Sequence, residues 1–168
     1  MAIFPLTDPA SSWSTVSASY PERVGRMRSH SSERLPTIAD ERRSFSPSAS
    51  YVLDNGAGAG TLTDCVTSSY PSIRVLATDI APGMLEALDK KQTPNVKTGV
   101  MDAAELDNIE GLGLDGSFSH AFSTFMIMFT TQPINVLKEM HRVLQPGGII
   151  GLAIWGERVD PSTLWEEA

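Results

Sequence analysis

The chain has 168 residues, enough for one domain with a buried core. Hydrophobic residues make up 41% and charged residues 20%, the balance of a soluble globular protein. A formal net charge of −7 disfavours non-specific binding to nucleic acid or anionic membranes, and the single cysteine, Cys65, excludes an internal disulfide.

Residues 1–49 are rich in Ser, Pro and Arg, with sparse apolar anchors. Trp13, Val16, Tyr20 and Val24 lie at helical spacing, interrupted by Pro21. The segment reads as an N-terminal helical cap region. It is either a pair of short helices packed on a sheet or a cap over a ligand pocket. Its six arginines between Arg23 and Arg43 read as a solvated face. Residues 50–168 read as the ligand-binding domain.

Tyr51-Val52-Leu53 is a short buried-strand pattern that runs into Asp54. Glycines follow at 56, 58 and 60, where the absence of a Cβ lets the backbone turn sharply and approach a ligand. Thr61 to Tyr70 then opens a helix whose first amides face that ligand. Strand, glycine turn and helix start make a nucleotide-type site. The Gly-x-Gly-x-Gly spacing departs from the dinucleotide Gly-x-Gly-x-x-Gly. An acid at Asp54 suits a ligand with a neutral or cationic portion better than a pyrophosphate.

Ile73 to Thr78 reads as a second strand ending at Asp79, 19 residues after Gly60. At that spacing an acid reaches ribose hydroxyls, and a carboxylate accepts from both. The bland alternative is a turn acid before Ala81-Pro82-Gly83. Met84, Leu85 and Leu88 form an apolar helix stripe, with Met84 near the adenine side of such a site. Asn95 to Val100 is a third strand, followed by Asp102, which can accept from an exocyclic amine. Phe118 to Phe125 reads as a central buried strand whose end, around Ser123, faces the same crevice. A helix from Pro133 stops at Gln145-Pro146-Gly147-Gly148, and Ile149 to Trp155 is the fifth strand.

With Arg142-Val143-Leu144-Gln145-Pro146-Gly147-Gly148, four elements stand in one order: Asp54 to Gly60, Asp79, Asp102 and this turn. Residues 51–155 thereby resemble the class I S-adenosylmethionine-dependent methyltransferases, in the small-molecule branch of ubiquinone/menaquinone type and its secondary-metabolite relatives. The resemblance implies a Rossmann-like parallel α/β sheet with helices on both faces. It implies S-adenosylmethionine as cofactor, held by Asp54, Gly56, Ala57, Gly58, Asp79, Ile80, Met84, Asp102, Ala103 and Ser123. Gly56 and Gly58 would approach the methionine part, Asp79 the ribose and Ile80 the adenine. Asp102 and the Ala103 amide would read the adenine edge, and Tyr20 would touch the ligand from the cap.

Ala57 stands where many members carry cysteine, and Ser119 where aspartate is common. The family's C-terminal helix and antiparallel strand pair are expected to be absent, because the chain stops at Ala168. The fifth strand would then be an open apolar edge, an association hazard, unless the chain is a fragment of a longer protein or a second copy or partner chain covers the edge. No base is assigned: His30, His120 and His141 are the histidine candidates. Without Asn-Pro-Pro-Tyr after the fourth strand or a Pro-Cys pair, nucleobase methylation is disfavoured. A small-molecule acceptor through O, N, S or C remains open. So do a non-catalytic or partner-dependent S-adenosylmethionine-binding protein and, less favoured by the glycine spacing, a nicotinamide oxidoreductase. No metal is implied. With no apolar run near the roughly 20 residues of a membrane span and no basic-then-apolar start, a cytoplasmic location is expected.

Overall fold

A computed structural model describes residues 20–106 and 113–155, with side chains from residue 31 onward. The elements run α1 (Tyr20–Arg42), β1 (Tyr51–Asn55), α2 (Thr61–Ser69), β2 (Arg74–Asp79), α3 (Pro82–Asp89), β3 (Val96–Val100), β4 (Phe118–Thr124), α4 (Pro133–Val143) and β5 (Leu144–Ala153). The strands form one sheet in the order β3-β2-β1-β4-β5. Every pairing among them is parallel. β1 therefore sits at the centre, flanked by β2 and β4, and the order reverses there, which is where open parallel sheets bind ligands.

Period-two alternation divides the sheet between two cores. Leu53, Leu76, Phe118 and Ala121 face Val136, Met140 and Val143 of α4. Val52, Val75 and Phe122 face the opposite way, onto Ala39 of α1 and Leu62 and Val66 of α2. Ala77 and Leu88 of α3 pack together on that second face with Ala57. Helices thus cover both faces, as the resemblance implies. β4 is buried at every position, so its run of small and apolar residues needs no polar face.

Three local readings change. Pro21, read as an interruption of the helical spacing, lies inside one helix of 23 residues that runs on to Arg42. Pro21 is its second residue, where the missing N–H has no intrahelical partner to lose. Trp13 and Val16 lie outside the described residues, as do the side chains of Tyr20 and His30. The described half of α1 packs on the sheet through Leu35 and Ala39. The turn expected at residues 145–148 is absorbed into β5. Leu144 already pairs with Phe118, and after a register irregularity Ile149 pairs with His120. Gly147 supplies the positive φ, +73°, that this irregularity requires. Finally, Trp155 lies beyond β5, which ends at Ala153.

Candidate cofactor-binding site

The turn after β1 is fixed by its backbone. The amides of Gly56 and Ala57 both donate to the Thr78 carbonyl, each at 2.8 Å. Gly56, Gly58 and Gly60 have φ of +79°, +56° and +87°. A Cβ on Gly56 would collide with Met126, and one on Gly60 with Leu88. Gly60 is the N-cap of α2, so the unpaired first-turn amides of that helix open at the turn.

Asp79, the last residue of β2, reaches into this turn. Its Oδ2 accepts from the Gly58 amide at 2.8 Å and its Oδ1 from the Ala81 amide at 2.9 Å. The acid is therefore oriented on the lip of the glycine turn and is no simple helix cap. Ile80 beside it is half-buried. Met84 is 2% exposed, within the α3 core stripe.

Asp54 is completely buried and accepts the Thr63 hydroxyl at 2.7 Å. Thr63, in the first turn of α2, was missed by sequence reasoning. A hydroxyl nine residues after an acid is too common to single out. Asn55 was missed too. Its amide donates to the Ala103 carbonyl at 3.2 Å and its Oδ1 accepts from the Thr78 hydroxyl at 3.2 Å. The Met101 amide donates to the Asp79 carbonyl at 3.0 Å. These bonds fold the segment after β3 toward the glycine turn. Asp102 is exposed there and its Oδ1 accepts from the Ala104 amide at 2.8 Å, an Asx-type turn.

Ser123 is fully buried near the end of β4, and its hydroxyl has no partner among the described residues. An orphaned buried hydroxyl costs about 1–3 kcal/mol and fits a site that receives a polar ligand group. Two residues on, Phe125 has φ of +58°, a conformation costing about 1–3 kcal/mol for a non-glycine residue. Its amide is tied to the Ala153 carbonyl at 2.8 Å. Strain of this kind concentrates at ligand sites.

Asp54, Gly56, Ala57, Gly58, Asp79, Ile80, Asp102, Ala103 and Ser123 thus gather along the carboxyl edge of four adjacent strands. The described histidines do not. His120 lies four residues before the end of β4, roughly 13 Å along the strand. Its Nδ1 is 2.8 Å from the Ser119 hydroxyl and its Nε2 bonds the Arg43 carbonyl at 2.9 Å. Burial lowers its pKa, only partly offset by the bond to Arg43. Ser119 in turn bonds the backbone of Tyr51. His141 is exposed in the last turn of α4.

An all-parallel sheet with a glycine turn at its switch point, an acid on that turn and a helix opening onto it defines a nucleotide-cofactor α/β protein. A methyltransferase domain model matches residues 52–148, and the chain belongs to that family. It is 30% identical over 120 residues to the methyltransferase ucsB of an Acremonium species, covering 62% of this chain and 40% of that protein. It is 33% identical over 120 residues to the malonyl-[acyl-carrier protein] O-methyltransferase of Laribacter hongkongensis, covering 68% and 39%. The chain therefore spans about 40% of the length of these curated relatives. In fold it is similar to the complex of the Haloferax volcanii Trm112 methyltransferase activator with a methyltransferase, at a TM-score of 0.71 and 20% identity, over 84% of this chain and 59% of that one.

Proposed function

We propose that this chain binds S-adenosylmethionine and serves methyl transfer to a small-molecule acceptor. The observation that carries the reading is the Asp79 carboxylate held on the glycine turn by the Gly58 and Ala81 amides. Gly56 and Gly58 offer a side-chain-free surface to the amino-acid portion, Asp79 the ribose acceptor, and Asp102 with Ala103 the adenine edge. Ala57, Ile80, Met84 and Ser123 complete the surround. The name of one relative, a malonyl-[acyl-carrier protein] O-methyltransferase, supports an acyl acceptor. When bound, the cofactor supplies an already activated sulfonium methyl, so the protein's work is alignment and exclusion of water. Net charge −7 disfavours nucleic acid as acceptor. Among the described residues no helix is long and apolar enough to cross a membrane. A cytoplasmic location is part of the same proposal.

A second reading is a methyltransferase-like binding protein that acts only with another chain. Among the described residues β5 pairs on one side only, with β4, and leaves Leu152 39% exposed, with Ile154 just beyond it 58% exposed. A second copy, a partner strand or further sequence of a longer chain would cover this edge. Calorimetric titration with S-adenosylmethionine, S-adenosylhomocysteine and NAD separates the readings. Sulfur-cofactor binding with turnover over an acceptor panel supports the first. The same binding with turnover only in a larger assembly supports the second. Binding of NAD alone refutes both.

A further inference from the structure

Arg142 belongs to the turn motif that singled out this chain, yet the proposed reaction gives it no task. The structure gives it one. Arg142 Nη2 donates to the Leu106 carbonyl at 2.7 Å, and Glu139 Oε2 accepts from the Leu106 amide at 2.9 Å. The two side chains also pair with each other, through Nε at 2.9 Å and Nη2 at 2.6 Å. Arg142 Nη1 reaches the Asp115 carboxylate as well. One turn of α4 thus grips both backbone polar groups of a single residue. The Leu106 side chain is 3% exposed and lies in the α4-facing core.

Leu106 closes the segment that begins at Met101. That segment is fastened at three points on three elements. Its start is tied to β2 through the Met101 amide and the Asp79 carbonyl. Its middle is tied to β1 through Asn55 and the Ala103 carbonyl. Its end is tied to α4 through Glu139 and Arg142. Between the fasteners it makes a tight reversal, with the Glu105 amide on the Asp102 carbonyl at 3.0 Å. Asp102 itself is exposed at the tip. A short loop with an exposed acid would otherwise sample many orientations, and each ordered residue costs about 1–2 kcal/mol of backbone entropy.

We propose that Glu139 and Arg142 are positioning residues for base recognition. By clamping the Leu106 backbone they hold Asp102 and the Ala103 amide in the orientation that reads the exocyclic amine of adenine. This rests on the S-adenosylmethionine reading above. The clamp accounts for a guanidinium at position 142: its fork bonds the Leu106 carbonyl, both Glu139 oxygens and Asp115 together, four acceptors where an ammonium has three donors.

The test measures selectivity alongside affinity. Binding of S-adenosylhomocysteine is compared with binding of its inosine analogue, in which a carbonyl replaces the exocyclic amine. The comparison is made in the wild type, Arg142→Lys, Arg142→Leu, Glu139→Gln and Glu139→Ala. The wild type is expected to prefer the adenine compound. Arg142→Leu and Glu139→Ala should reduce that preference about tenfold, the scale of a lost charge-assisted hydrogen bond. Glu139→Gln keeps an acceptor for the Leu106 amide and should retain most of it. Amide hydrogen exchange at Leu106, measured without ligand, should speed up in Glu139→Ala and stay slow in Glu139→Gln. Melting curves identify any variant that fails to fold, in which case Arg142→Lys, which keeps the charge but loses the fork and should lose part of the preference, carries the comparison against Glu139→Gln. Wild-type binding with selectivity unchanged in the folded Arg142 variants and Glu139→Ala overturns the clamp and leaves the cofactor reading standing. Absence of wild-type binding to either compound overturns both.

Discussion

Asp54 and His120 lie on neighbouring strands, β1 and β4, and both are completely buried. Asp54 pairs in register with Phe122, and His120 with Val52, so the two residues stand two positions apart on one face of the sheet. Their environments differ in kind. Asp54 is one residue from the end of β1, next to the glycine turn, and takes a hydroxyl from α2. His120 is deeper, bonds the Arg43 carbonyl just past α1 and packs against the Phe45 ring at 4.3 Å. Two residues along the strands separate an acid tied to α2 beside the glycine turn from a histidine tied to the chain just past α1. In the proposed reading, depth from the carboxyl edge distinguishes the two.

The sharpest way to break that contrast is at the edge itself. Asp79→Ala should weaken S-adenosylhomocysteine binding about hundredfold, since hydrogen bonds to a charged group contribute about 1.5–3 kcal/mol. Calorimetry that finds unchanged affinity would refute the ribose assignment. Thr63→Val should come next. It removes the hydroxyl that Asp54 accepts and should cost about 1–3 kcal/mol of stability by chemical denaturation. Thr63→Ser should recover most of it; a loss in Thr63→Ser with none in Thr63→Val would show that the methyl, not the hydroxyl, matters.

The deeper site predicts a pH effect. Burial holds the His120 pKa below its ordinary 6.5. The unfolded chain therefore takes up a proton that the native fold refuses. Stability is full above pH 6.5 and falls as pH drops from there toward the lowered native value, by at most about 1.4 kcal/mol per pH unit. His120→Gln should flatten the slope in that window. A slope that persists in the variant would assign it to another group. The smallest effect is expected at Lys91, whose ammonium meets the Asp64 carboxylate at 2.6 Å and the Ala59 carbonyl at 2.9 Å on the outside of the glycine turn. Both partners of the ion pair are more than a third exposed. Lys91→Ala should cost no more than about 0.5 kcal/mol, which thermal melting at low and high salt will check.

The parts of this site legible in the sequence are those where local backbone geometry dictates residue type. Only glycine adopts +79° and +87° without penalty while meeting Met126 and Leu88 at close range, so Gly56 and Gly60 announce themselves. Asp79 was legible because the helix between β1 and β2 sets its distance from Gly60. Thr63, Asn55 and the Glu139–Arg142 clamp were not. Each acts through a partner that only the tertiary fold supplies, such as Ala103 for Asn55, 48 positions away. Met84 shows the reverse, since its stripe of apolar neighbours spelled core packing and the structure buries it there. The start of β5 was misread because Pro146 and Gly147 are turn residues by local preference. That stretch has no partner on β4; the pairings of Leu144 before it and Ile149 after it bring it within the bounds of the strand.

The central position of β1 has a consequence for how the chain acquires its shape. β1 meets β2 across a separation of 23 positions, as in Val52 with Val75, but meets β4 across 68, as in Val52 with His120. Closing the longer loop costs more chain entropy before any contact repays it, and distant pairings slow folding. The half that carries the glycine turn and Asp79 should therefore assemble first, and the pair β4–β5 should dock onto it later. Pulsed hydrogen exchange during refolding should find the β1 and β2 amides that bond each other protected before those of β5.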